Sequence, residues 1–390
     1  MSDHQPLQEL NSGKRLVSLD VFRGGTIAAM ILVNNPGSWD HMYAPLQHAD
    51  WHGWTITDLI FPFFLFIVGV SIVLAFTRQI SQGVPGSVMV KRITTRSLII
   101  FGIGLLLNGY PYFTLEPSFG LHNHLIDLRV MGVLQRIAIC YLVASLMFLY
   151  VKPKVMARII AGILLFYWAA MTLIPVPGFG AGMIDNPEAN LTAWLDRIIL
   201  TRSHIWSGST YDPEGLFSTL PAIATTLLGV MAGNILFSDR NTIEKTTRIL
   251  LWGFLLVTLG YVWDWVFPIN KPLWTSSYAV FTAGLGMMVF GACYWLIDIK
   301  GYQHYTRPLV AYGVNPLVVF YMSGIVGRTL GLIQIPVAGD RVPLQAAIFE
   351  NIFLPLASPI NASLMYSIVW VIAWYLVLSY LYKKKIFVKV

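Results

Sequence analysis

Apolar runs of roughly membrane-crossing length recur from one end of the chain to the other, separated by short polar connections. They fall at about 17–33, 59–76, 97–107 extending back through Ile93, 131–151, 155–173, 216–237, 249–266, 277–297, 309–326 and 364–382. The pattern predicts an all-α integral membrane protein, a bundle of about ten transmembrane helices. A further run at 344–356 is too short to span comfortably and contains Glu350, so it is expected to be re-entrant or interfacial. The longest non-apolar stretch, 174–214, carries tryptophans and alternating apolar residues, the pattern of an ordered functional loop.

Composition supports the same class. Hydrophobic residues make up 56% of the 390-residue chain, charged residues only 12%, and the mean hydropathy is +0.64; an ordinary soluble domain is roughly a quarter charged. No stretch resembles a separate soluble domain, so residues 1–13 are read as a polar tail and 14–390 as one transmembrane domain. Cys140 and Cys293 both fall inside apolar runs and suggest no disulfide framework. The polar N-terminus lacks a small-residue cleavage site, so the first run is expected to be a retained span.

Charge then orients the bundle. With ten spans and a cytoplasmic N-terminus, 18 of the 26 basic residues fall in cytoplasmic segments, among them Lys14, Arg15, Arg78, Lys91, Arg92, Arg96 and the C-terminal lysines. That is the positive-inside bias, and it places both termini in the cytoplasm. The net charge of +7 is therefore a topology signal; no basic stripe interleaved with aromatics suggests nucleic acid. On this orientation His41, His48, His52, His122, His124 and His204 all lie in outer loops, and residues 34–58, NNPGSWDHMYAPLQHADWHGWTITD, hold three of them. A polar, tryptophan-rich loop with ionisable groups at a membrane face reads as the active-site loop of an integral membrane enzyme.

Several separated motifs carry a resemblance: SLDVFRGG, VNNPG, QHADWHGWTITDLIFPFFLFIVG, LRVMGVLQRIAICY, TYDPEGLFSTLPAI, INKPLWTSSY, GVNPLVV and the closing KKKIFVKV. Together, over about residues 15–390, they resemble the heparan-α-glucosaminide N-acetyltransferase family of transmembrane acyltransferases. The resemblance implies transfer of an acetyl group from cytosolic acetyl-CoA, as co-substrate, to the amine of a glucosamine-type sugar on the periplasmic or lumenal side. It also implies that the family's catalytic histidine is His48, within His48-Ala49-x-Trp51-x-Gly53, that its active-site asparagine is Asn34, and that the aspartate of its D-L-x-F-P motif is Asp58. The lysosomal member has an additional lumenal region and one more span, so the short polar tail here points to a bacterial-type relative in the inner membrane. The other partners expected are membrane lipids, with homodimerisation left open.

The chemistry can be read from the residues as well. Acyl transfer to an amine needs a base, donors for the thioester oxyanion and positioning of both substrates. His48 suits the base, or a transient acyl acceptor; Asn34 can supply a donor; Asp58 can orient the imidazole. Asp58 in Thr55-x-x-Asp58 is equally a helix cap. His48 and His52 are four apart, as metal ligands on a helix would be, but no cysteine or HExxH context supports a metal. Trp39, Trp51 and Trp54 read as interfacial belt residues or as a stacking surface for sugar, with Trp51 the substrate-binding candidate.

Arg129 and Arg136 are seven apart on one face of the fourth span. They are read either as structural partners of Asp20, Asp127 or Asp264, or, with neighbouring Gln135, as contacts for the cofactor's phosphates. Asn315, beside a helix-breaking proline, is a second intramembrane cofactor candidate or a satisfied kink. Asp212 and Glu214 in TYDPEG are placed to hold the sugar's amino group, though DPEG is also a plain turn. Asn270 and Lys271, before the eighth span, match a motif of the family the chain resembles and read as lining the outer site or as an ordinary loop. Two other classes stay open: a transporter of amino sugars or muropeptides, and an O-acyltransferase of cell-surface glycans. Substrate-dependent CoA release separates enzyme from transporter, and the acceptor atom separates the two enzymes.

Overall fold

The computed structural model describes residues 16–114, 120–121, 125–337 and 340–388. The N-terminal tail, with Lys14 and Arg15, and His122 and His124 lie outside the described residues. The chain order is α1 (Val17–Asn34), α2 (Ile60–Ser81), α3 (Gly86–Gly109), a short hairpin of β1 (Phe113–Thr114) and β2 (Gly120–Leu121), α4 (Val133–Tyr150), α5 (Pro153–Leu173) and α6 (Leu191–Ile199). There follow α7 (Thr219–Leu236), α8 (Thr242–Asp264), α9 (Ser276–Cys293), α10 (Arg307–Val314), α11 (Pro316–Leu332), a hairpin of β3 (Gln334–Val337) and β4 (Asp340–Pro343), α12 (Leu344–Ile348) and α13 (Pro359–Lys383). The all-α reading holds for the bundle; the two hairpins are confined to connections.

Among the described residues eight helices are long and apolar enough to cross a membrane. The 24-residue α3 has the length, but Lys91, Arg92 and Arg96 make its first half polar. The expected ninth span is not one straight helix. It breaks at Asn315–Pro316 into α10 and α11, bent by 81°, because Pro316 has no N–H to continue the ladder. The Gly313 carbonyl beside the break accepts from Arg23 Nη1 at 3.2 Å. Residues 344–356 form α12, a π-helical turn and a 3-10 turn whose Phe349 and Phe353 pack on Ala362 and Tyr366 of α13. At 1.5 Å per residue this segment is about 20 Å long, short of a roughly 30 Å hydrocarbon layer.

The bundle is built around α2, which packs against α7, α1, α4 and α9. Apolar lipid gives little drive to bring helices together, so close approach rests on small residues. A Cβ on Gly69 of α2 would collide with the Thr226 carbonyl, and one on Gly229 of α7 with the Phe66 carbonyl. The region 174–214 is ordered as anticipated: Val176, Ile184 and Leu191 pack with Tyr167, Phe267 and Leu273 as an apolar cap over one end of the bundle.

Candidate active site

The loop between α1 and α2 is held in place by contacts from two distant parts of the chain. Trp51 Nε1 donates to the Ile184 carbonyl at 2.9 Å, Asn270 Nδ2 to the Trp51 carbonyl at 2.9 Å, and Gly53 N–H to the Ile269 carbonyl at 2.7 Å. Gly53 has φ +90°, a conformation available to glycine at little steric cost. Below this loop a 3-10 turn, Thr57–Leu59, buries Asp58 at the head of α2, and Tyr278 donates to the Asp58 carbonyl at 2.5 Å.

Asp58 contacts both the His48 imidazole and the backbone that precedes α2. Its Oδ2 accepts from Ala49 N (3.0 Å), Thr55 N (3.0 Å) and Thr55 Oγ1 (3.2 Å), while Oδ1 lies 2.6 Å from His48 Nδ1. A carboxylate that collects three other donors accepts from the imidazole as well, so Nδ1 carries the ring proton and Nε2 presents its lone pair. His48 is about half exposed and lines a cavity. Lys271 Nζ stands 2.9 Å from His48 Nδ1, 3.2 Å from Nε2 and 3.5 Å from Asp58 Oδ1. Burial pulls the Lys271 ammonium below its ordinary value, outweighing the pull of Asp58 and Glu214 in the other direction. His52 turns away to Asp185 (2.8 Å) and Asn270 (3.4 Å), so the two histidines share no ligand position.

Beside this centre Arg129 grips Asp212 with Nε (2.8 Å) and Nη2 (2.5 Å) and reaches Glu214 at 2.5 Å, with Trp206 4.8 Å from its guanidinium. Its partners are thus two acids from TYDPEG, not Asp20, Asp127 or Asp264. Burial alone would lower the Arg129 value, but the bonds and charges of Asp212 and Glu214 outweigh it and raise it. Burial likewise works to raise the Glu214 carboxyl, and the charges of Arg129 and Arg136 reverse the sign and hold it low.

A single cavity of about 1990 Å³ joins this centre to the other end of the bundle. It is lined along the whole of α2, from Asp58 and Phe61 past Phe64, Val68 and Ile72 to Gln79, about 33 Å at 1.5 Å per residue. At the far end it meets Lys91, Arg92 and Arg96 of α3; at the near end it meets Asn34, His48, Glu214 and Lys271. Asn34 forms the last residue of α1 and is exposed there.

Other candidates fall elsewhere. Gln135 lines the cavity, but Arg136 does not; it is fully buried, donates to the Gly215 carbonyl (3.1 Å) and Ser218 Oγ (2.5 Å), and lies 5.1 Å from the Trp274 ring. Its place is structural, tying α4 to the start of α7. Asn315 is equally buried and clamps the C-terminal tail, accepting from Val388 N at 2.9 Å and donating to the Ile386 carbonyl at 3.0 Å. Asp212 and Asn270 are sealed inside, and Trp51 packs edge-on against Tyr211. These three support the loops that carry the site and are not among the cavity's lining residues.

Sequence reasoning missed Asp196. On α6 it is fully buried, with Oδ1 accepting from Leu216 N at 2.9 Å and Oδ2 without a partner among the described residues. Burial pushes its carboxyl up to about 7. The folded protein therefore holds a proton that the unfolded chain releases near pH 4, and stability is lost as pH rises from there through 7. The group is worth at most about 4 kcal/mol across that window. The unfolding midpoint in detergent is expected to fall between pH 5.5 and 8, and Asp196→Asn should flatten the change; an unchanged slope in the variant would refute this.

The family described as heparan-alpha-glucosaminide N-acetyltransferase, catalytic, matches residues 15–261. Relatives bearing the name heparan-alpha-glucosaminide N-acetyltransferase are found in Mus musculus, 28% identical over all of this chain, and in Homo sapiens, 29% identical over 96% of it. The alignments cover 62% and 60% of those proteins, so this chain spans about three-fifths of their length. Those relatives and the matched span, which includes His48, Asp58 and the Arg129 cluster, identify the chain as a member of the heparan-alpha-glucosaminide N-acetyltransferase catalytic family.

Proposed function

We propose that the protein moves the acetyl group of acetyl-CoA to the amine of a glucosamine-type sugar across a membrane. The observation that carries this reading is that one cavity holds a His48–Asp58 pair at one end and a basic mouth at the other. Lys91, Arg92 and Arg96 suit the phosphates of a CoA, with Arg92 steadied by Gln79 at 3.0 Å. The apolar wall of α2 suits the pantetheine arm, and the thioester then reaches His48. The basic mouth and both termini face the cytoplasm, by the positive-inside bias, and the histidine-bearing loop faces outward.

In this reading the neutral amine attacks the thioester carbonyl while His48 Nε2 takes its proton and returns it to the departing thiolate. The ammonium form of the sugar sheds one further proton to water, so the balance is amide, CoA thiol and one released proton. Asn34 and the Lys271 ammonium supply the donors facing the developing oxyanion. Asp58 holds the imidazole tautomer throughout.

Thiol release from acetyl-CoA by the purified protein is expected to depend on glucosamine. His48→Ala should slow it by about 10²- to 10⁴-fold, the usual worth of a positioned base, with acetyl-CoA binding retained. If no acceptor elicits release and acetyl-CoA does not bind, the enzyme reading fails; the through-running cavity would then favour transport of an amino sugar.

A further inference from the structure

A primary amine of the protein itself stands where the acceptor's amine would have to be. Lys271 Nζ lies 3.2 Å from His48 Nε2, the ring nitrogen left without a proton once Nδ1 donates to Asp58, so the lysine bonds the very lone pair that would deprotonate a sugar amine. The contact to Asp58 Oδ1 is longer, 3.5 Å. The Lys271 side chain is 18% exposed and lines the cavity. Its neighbour Asn270 donates to the Trp51 carbonyl and accepts from Leu273 N, which fixes the loop that presents the lysine to the imidazole.

Among the described residues two lysines line the cavity, Lys91 and Lys271. Lys91 belongs to the basic mouth, where the donor's phosphates are expected, so a thioester carried as far as His48 meets Lys271. Burial favours the uncharged form of that amine. A desolvated, uncharged lysine is a nucleophile.

We propose that Lys271 is a self-acetylation site: with acetyl-CoA bound and no acceptor present, the acetyl group passes to Lys271 Nζ. The inference rests on the acetyl-transfer reading for its donor. The ammonium first sheds one proton to water, and the neutral nitrogen attacks the thioester carbonyl carbon, so that a C–N bond forms and the C–S bond breaks. His48 Nε2 takes a second proton and passes it to the departing thiolate. The products are Nε-acetyl-lysine, CoA thiol and one released proton. An amide is far less activated than a thioester, so the acetyl group is not handed on to a sugar. The modification also removes the positive charge that faces the oxyanion, and turnover is silenced.

The test is to incubate the purified protein with acetyl-CoA carrying a 13C-labelled acetyl group, with and without glucosamine, and to follow each lysine by peptide mass spectrometry. Lys271 is expected to acquire label about 10²-fold faster than Lys91 or Lys384, the lower end of what a positioned base supplies. Saturating glucosamine should suppress the labelling, and loss of turnover on preincubation should track it. His48→Ala should slow it by about the same 10²-fold, with acetyl-CoA binding retained. A Lys271 that stays unlabelled, or gains label no faster than Lys91 and Lys384, overturns the proposal, and so does labelling that glucosamine or His48→Ala leaves unchanged. CoA release on adding glucosamine to the same preparation separates the two failures. If release occurs while Lys271 stays unlabelled, self-acetylation alone falls; if neither occurs, the acetyl-transfer reading falls with it.

Discussion

Asp58→Asn is expected to lower turnover by about 10³-fold or more, as loss of the orienting carboxylate does in other histidine-based sites, while acetyl-CoA binding changes little. The reason lies in how the two carboxylate oxygens are used. Oδ2 takes three donors from Ala49 and Thr55, so an asparagine must keep its oxygen there and turn its NH2 toward His48. That NH2 donates to Nδ1 and forces the ring proton onto Nε2. The lone pair that should receive the amine's proton is then gone, although the cap on α2 and the loop geometry survive. Turnover and acetyl-CoA titration on the same preparation check this. Turnover within tenfold of the parent would mean that His48 is not the base, or that Asp58 is only a cap.

The largest stability effect is expected at Arg129. Arg129→Met leaves Asp212 and Glu214 buried without the guanidinium that bridges them, and stranding buried charge in this way costs about 3–5 kcal/mol. The unfolding midpoint should drop sharply and the yield of folded protein with it. Adding Asp212→Asn and Glu214→Gln removes the stranded charges, so the triple variant should regain much of the loss. A midpoint unmoved by Arg129→Met would show that water already solvates the cluster. Failure of the triple variant to recover would assign the loss to packing against Trp206 and not to charge.

The long-range partners in these two predictions were not legible in the chain. Spacing alone puts an aspartate ten residues after His48 and a threonine three before Asp58, and those local facts are enough to suggest both a catalytic pair and a cap. Nothing local places Lys271, 223 residues away, against the same imidazole. The same limit explains Arg136. Its sequence position, an arginine one turn into a span, suits a phosphate contact as well as a structural tie, and only the packing of α4 against α7 and Trp274 turns it inward.

What the sequence by itself determined is the class and the helices. A hydrocarbon layer accepts only segments whose backbone is satisfied internally and whose side chains are apolar over some twenty residues, so hydrophobic runs map directly onto α1, α2, α4, α5, α7, α8, α9 and α13. Even the exception was locally encoded, since Pro316 breaks the expected ninth span where its missing N–H falls. The tertiary structure decided which charges meet. Asp212 and Glu214 met Arg129, Asn315 became a clamp on the tail, and Asp196 became a buried acid. An ion pair or a desolvated carboxyl depends on a few ångströms between segments far apart in the chain, and hydrophobic periodicity carries no record of that distance.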